Sequence, residues 1–317
     1  MTRAFQTTFF RPFRGWGVGL LVALLGAGPL AAQDSAPSTY QPARGQAGKD
    51  VVWIPTPDEL VTRMLKLAQV TSKDFVVDLG AGDGKIVIAA VRDFGATGLG
   101  LEYDPKLVEH ARRNAESAGV SGGAEFRHAD IFAADFSNAD VVTMYLLPDL
   151  NLRLRPTLLA MKPGTRLVSH QFTMGNWKPD EVSWVQLHPA YLWIVPANAG
   201  GTWQASFARA GTTETAQLSL EQVFQELKGS VEFGAVRTSL RNPTLLGSDI
   251  HFAFTDVGGL LRRVDARIVG SRMLGRMSDP TGSVEFNAER KGEAPALSGS
   301  ASASRDELMN ALRQLGE

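Results

Sequence analysis

The stretch Val76-Val-Asp-Leu-Gly-Ala-Gly-Asp-Gly-Lys-Ile-Val87 constrains this chain more than any other part of it. An apolar strand runs into a Gly-x-Gly turn and out into a helix. Backbone can approach a ligand closely at such a turn, and the free amide N–H groups of the helix start face it. The spacing argues against two common nucleotide sites. A nicotinamide fingerprint needs its third glycine three residues after Gly82, where Lys85 stands, and a phosphate-binding P-loop needs a Gly-Lys-Ser/Thr ending that is missing. Taken alone, the turn also suits an ordinary α/β protein.

The surrounding pattern supplies the context. From Val51 to about Ala197 short apolar strands alternate with amphipathic helices, which predicts an α/β fold with a parallel sheet covered on both faces. Helices are expected at Asp58–Gln69, Lys85–Asp93, Pro105–Ala118 and Asp149–Met161, and strands at Phe75–Gly80, Gly98–Glu102, Ala124–His128, Ala139–Leu146 and Arg166–His170. Two further strand-like runs, Val182–His188 and Tyr191–Val195, flank a turn expected at Pro189. Glu102 closes the second strand and Asp130 follows the third. Strand ends of a doubly wound sheet converge on one crevice, so both carboxylates can face one ligand, one accepting a pair of ribose hydroxyls and the other an adenine amino group.

With these residues in place, the sequence resembles the class I S-adenosylmethionine (SAM)-dependent methyltransferases. Asp78-Leu-Gly-Ala-Gly-Asp-Gly84 stands as the cofactor motif, and Glu102 and Asp130 occupy the positions of the ribose and adenine acids. More narrowly it is similar to the family of the mitochondrial ATP synthase c-subunit lysine methyltransferase and its bacterial relatives. Ile54-Pro-Thr-Pro-Asp58, Gly100-Leu-Glu-Tyr-Asp-Pro105 and Tyr145-Leu-Leu-Pro148 carry that likeness, which spans roughly Val51–Asp180. The resemblance implies a Rossmann-like class I sheet ending in an antiparallel hairpin, and SAM as cofactor held by Thr56, Pro57, Asp78, Gly80, Gly82, Gly84, Glu102 and Asp130. It sets Thr56 and Pro57 near the methionine end of the cofactor and Tyr145 to Asp149 beside the methyl group.

Methyl transfer asks for an aligned nucleophile with a free lone pair in a site closed to water, and no dedicated base is required. The expected acceptor is an amine, above all a protein lysine, which burial favours in its neutral form. Tyr145 then shapes the acceptor pocket and Asp149 orients an amine, or both serve packing and helix capping. The Asn/Asp-Pro-Pro-Tyr motif of methyltransferases acting on adenine or glutamine is missing, and 32 basic against 33 acidic side chains leave no field to attract nucleic acid. No nucleic-acid partner is expected. Five histidines lack metal-ligand spacing and no cysteine is present, so no metal site is expected. Of the histidines, His170 stands best placed, ending the fifth strand before the loop Gln171-Phe-Thr-Met-Gly-Asn-Trp177 that either covers substrate or closes the core.

The outer segments suggest two further parts. Arg3, Arg11 and Arg14 precede an apolar run and Ala31-Ala32-Gln33, the order of an export signal over residues 1–32, with membrane contact only if it stays uncleaved. This predicts an exported, periplasmic or envelope-associated protein. Residues 33–50 read as a flexible tether ahead of the methyltransferase domain at 51–198. Residues 199–292 read as a small, mainly antiparallel β domain, a barrel or sandwich with turns at Asn242-Pro243, Gly258-Gly259 and Asp279-Pro280. Gly229-Ser-Val-Glu-Phe233 nearly recurs as Gly282-Ser-Val-Glu-Phe286, and residues 293–317 are expected to link to a short helix at Asp306–Leu315. Two other functions stay open on sequence alone: an exported non-catalytic module on the same fold, and a small-molecule methyltransferase.

Overall fold

A buried parallel sheet is built where apolar runs can be covered on both faces. In a computed structural model of the chain, β1 (Phe75–Leu79), β2 (Thr97–Glu102), β3 (Ala124–His128), β4 (Val141–Met144) and β5 (Arg166–His170) pair in parallel. β7 (His188–Ile194) and β6 (Glu181–Val185) add an antiparallel hairpin, giving the order β3-β2-β1-β4-β5-β7-β6. The structure describes residues 40–47, 53–209, 212–297 and 309. The expected export signal, the rest of the tether and most of the terminal helix lie outside the described residues.

Alternation along the strands sorts the core into two faces. Val76, Val141, Val168, Ala190 and Leu192 face α1 (Asp58–Leu67) and α2 (Lys85–Phe94), while Val77, Val142, Met144, Leu167 and Trp193 face α4 (Pro148–Leu159). α3 (Pro105–Ser117) packs with α2 over Phe126, and Asp104 caps it by accepting from the Lys106 N–H. The hairpin turn falls at Gln186-Leu187, with Gln186 at φ 53°, and not at Pro189, which pairs with Trp184 inside β7. Proline is tolerated so near the strand start, and its carbonyl still accepts from Gln171 N–H.

The second sheet is a closed antiparallel meander. Its strands are β8 (Gly201–Arg209), β9 (Thr212–Val223), β10 (Glu226–Phe233), β11 (Val236–Ser239), β12 (Arg241–Leu246), β13 (Asp249–Thr255), β14 (Leu261–Val269), β15 (Arg272–Asp279) and β16 (Gly282–Lys291). β16 pairs back onto β8. Only Leu240 separates β11, which pairs with β10, from β12, which pairs with β13, and Leu240 N–H still donates to Gly229 O. Counted as one bent strand, these two close an eight-stranded barrel, whose interior Trp203, Phe207, Phe252, Phe254, Met273 and Phe286 fill. Asn242-Pro243, expected as a turn, forms a bulge within β12, with Asn242 at φ 46°. The recurrent Gly-Ser-Val-Glu-Phe segments lie in β10 and β16 with the same side inward: Val231 and Phe233 in one, and Val284 and Phe286 in the other, pack in the barrel core.

The sheets share a core. The β9–β10 turn inserts Phe224, whose ring stacks on Trp177 at 5.7 Å and 5°, and Trp177 Nε1–H donates to Gln225 Oε1 at 2.9 Å. Trp193 Nε1–H in turn donates to Trp177 O at 2.8 Å.

Candidate active site

At the carboxyl ends of β1, β2 and β4 lies a cavity of about 690 Å³, within the range of roughly 300–1,000 Å³ usual for small-molecule sites. The strand–turn–helix after β1 forms its floor. Gly80 and Ala81 N–H both donate to Leu101 O, which binds the turn to β2. Gly82 sits at φ 54°, and a Cβ there would come within 2.5 Å of Trp53 Nε1. Gly84 has a different task. At φ 81° it is the N-cap of α2, and a Cβ would meet the Phe126 ring at 2.6 Å, so it serves helix packing and lies behind the cavity lining.

Three carboxyl groups crowd this floor. Glu102 takes Gly82 N–H on one oxygen and Asp104 N–H on the other, each at 2.9 Å, and lines the cavity half-buried. Asp78 is buried and accepts from the Thr143 hydroxyl at 2.7 Å. Burial pushes its carboxyl up to about 7, against the Thr143 hydrogen bond and with the charges of Asp83 and Glu102 adding to the rise. Burial also raises Asp83, which sequence reasoning missed although it stands between Gly82 and Gly84. Asp130 lines the cavity beyond β3, its Oδ1 accepting from Phe132 N–H at 2.9 Å. A site so rich in carboxylates suits a ligand with positive charge and hydroxyl groups.

The other wall is aromatic and apolar. Tyr145, Leu146, Leu147 and Leu150 lead from β4 into α4, with Phe132 and Phe172 beside them. Tyr145 packs against His170 at 3.8 Å between ring centroids, and burial raises its phenol above the ordinary range. Thr56 lines the cavity, and its hydroxyl lies 3.2 Å from His170 Nδ1. Besides Gly84, two of the residues singled out by resemblance lie outside the lining. Pro57 is exposed as the N-cap of α1, and Asp149 sits in the first turn of α4, where its charge suits the helix N-terminus. In the loop after β5, Trp177 closes the core, and Phe172 lines the cavity.

The segment expected to be a tether supplies the lid side in its described part. Gly45 N–H donates to Trp53 O and Trp53 N–H to Gln46 O, and Gln46, Ala47 and Trp53 line the cavity. Tyr40 meets His110 edge-on at 6.3 Å. The sequence marks this strap with the apolar run Val51-Val-Trp-Ile54.

Comparison with known proteins gives the family. Residues 78–181 match the ANTKMT methyltransferase domain. A protein-lysine N-methyltransferase of Saccharolobus islandicus is 42% identical over 151 residues, which are 46% of this chain and 94% of that protein. The human lysine N-methyltransferase named for the ATP synthase c-subunit is 30% identical over 169 residues, 53% of this chain and 70% of its own. Among solved structures, an RNA methyltransferase from Salinibacter ruber in complex with S-adenosyl-L-homocysteine is 51% identical, covering 45% of this chain and 94% of that one with a TM-score of 0.44. The chain belongs to the family of methyltransferases carrying the ANTKMT methyltransferase domain, and it is a SAM-dependent enzyme.

Proposed function

We propose that this enzyme methylates the ε-amine of lysine in a protein acceptor. The observation that carries the reading is the gathering of the glycine turn, Glu102 and Asp130 on one side of a single cavity and Thr56, Tyr145 and Phe172 on the other. SAM fits the first side: Gly80 and Gly82 leave a cradle that a Cβ would fill, and the carboxylates complement its cationic methionine end and its hydroxyls. Glu102 takes the ribose hydroxyls, Asp130 the adenine edge and Asp78 the methionine end. Bound SAM supplies a methyl group on a good sulfonium leaving group.

On the other side the aromatic wall excludes water and favours the neutral form of an incoming lysine amine. The relatives from Saccharolobus islandicus and human are named for methylating lysine, which favours that acceptor over other amines. We assign catalysis to residues 51–198, with residues 199–292 as a β barrel packed against them. The basic and apolar N-terminal segment supports an exported protein whose acceptor resides in the envelope.

The test is incubation of Gln33–Glu317 with methyl-labelled SAM and envelope proteins, followed by acid hydrolysis. Label in N-methyl-lysines is the expected result. Label in base-labile esters, in other amino acids or nowhere would overturn the reading. Cell fractionation that finds the mature chain in the cytoplasm would overturn export.

A further inference from the structure

A line of polar side chains leads from the cavity toward the surface. Thr56 Oγ1 lies 3.2 Å from His170 Nδ1, and His170 Nε2 lies 3.4 Å from His188 Nδ1. Thr56 faces the cavity, His170 is 1% exposed and His188 is half-buried. Fold and sequence put them there together. His170 pairs with Ala190 across β5 and β7, so His188, two residues earlier, falls on the same face and one diagonal step away. That face is the one covered by α1, which Thr56 precedes by two residues. A tight turn fixes the strand end: Gln171 is at φ 69°, Phe172 N–H donates to His170 O at 2.8 Å, and Gln171 N–H donates to Pro189 O at 2.9 Å. A non-glycine residue held in that region is strained, and it sits between His170 and the cavity residue Phe172.

We propose that Thr56 accepts a hydrogen bond from the substrate amine and that His170 and His188 are positioning residues that aim its hydroxyl. The inference rests on the lysine reading above and assigns the orienting role there. Thr56 O–H donates to His170 Nδ1, and His170 Nε2–H donates to His188 Nδ1. This tautomer leaves the lone pairs of Thr56 Oγ1 open to an amine N–H, which turns the amine lone pair toward the methyl carbon. The opposite tautomer would aim the hydroxyl proton at the lone pair that must react. Burial and the neighbouring His188 hold His170 well below its usual range, at about 4, so it stays neutral and keeps the acceptor that Thr56 needs.

The test is a double-mutant cycle in the full chain with poly-L-lysine and methyl-labelled SAM, with S-adenosylhomocysteine affinity measured beside it. Thr56→Val should lower kcat about tenfold or more, well beyond any loss of cofactor affinity, and Thr56→Ser should restore the rate. His170→Gln should lower kcat in the wild-type background and do little in the Thr56→Val background, because it acts through Thr56. Additive losses would overturn the inference, as would a loss of cofactor affinity in Thr56→Val that matches the loss of rate. A wild type that leaves poly-L-lysine unmethylated but binds cofactor would overturn the lysine reading, and the inference with it. His188→Ala tests the outer link: a smaller loss that also vanishes beside Thr56→Val is expected, and a full-sized loss there would overturn its positioning role.

Discussion

Asp78 is where the chemistry of the site is set by a single side chain. Its carboxyl is buried, held by Thr143 and raised to about 7, so near neutral pH it is poised between its acid and its anion. A cationic ligand favours the anion. Affinity for SAM should therefore rise with pH through about 7, by roughly tenfold between pH 6 and pH 8, as calorimetry at the two values can show. Stability of the free protein runs the other way. The folded value lies above the ordinary 3.8, so the contribution of Asp78 is full below about 3.8, is lost as pH rises and is gone above about 7. Asp78→Asn keeps an acceptor for Thr143 and should raise the ligand-free Tm more at pH 8 than at pH 5, while weakening SAM. An equal effect at both pH values would contradict the assignment.

Among the elements, the loop between β5 and β6 carries much of the fold's cohesion. Trp177 is fully buried between Phe224 and Trp193. Trp177→Ala should cost about 3–5 kcal/mol of unfolding free energy, measured by urea titration. A loss under about 1 kcal/mol would mean that the loop does not close the core. The first sheet was legible in the sequence because short strand-like runs set off by glycine and proline alternate with amphipathic helices. Within the barrel, β15 carries a weak strand signal because its inward positions read Met273, Gly275, Met277, a small residue where an apolar mark was needed. β12 is masked because Asn242-Pro243 looks like a turn and is a bulge, and proline is admitted there for want of a ladder hydrogen bond to lose. The proposed cofactor side of the cavity was legible because Gly80, Gly82, Glu102 and Asp130 are tied to strand ends by local motif. Trp53 and the His170–His188 pairing were not, since they depend on a returning strap and on hairpin register that no local pattern encodes.

For the whole molecule, the contact between the methyltransferase sheet and the barrel decides how the protein unfolds. Phe224 from the barrel belongs to the same apolar cluster as Trp177, Trp193, Leu154 and Val142. Gln222 fastens the connecting segment by accepting from Ala199 N–H and donating to Ala197 O. Calorimetry should therefore record one cooperative transition for the chain, and two separated transitions would show that the sheets are independent. The central claim is that the cavity at the ends of β1, β2 and β4 is the cofactor site. It is tested most directly by titrating S-adenosylhomocysteine into purified Gln33–Glu317 and into its Glu102→Ala variant. Saturable binding with one site per chain, weakened by about tenfold or more in the variant, is the predicted result. Folded wild-type protein that takes up no ligand, or a variant that binds as tightly, would contradict it.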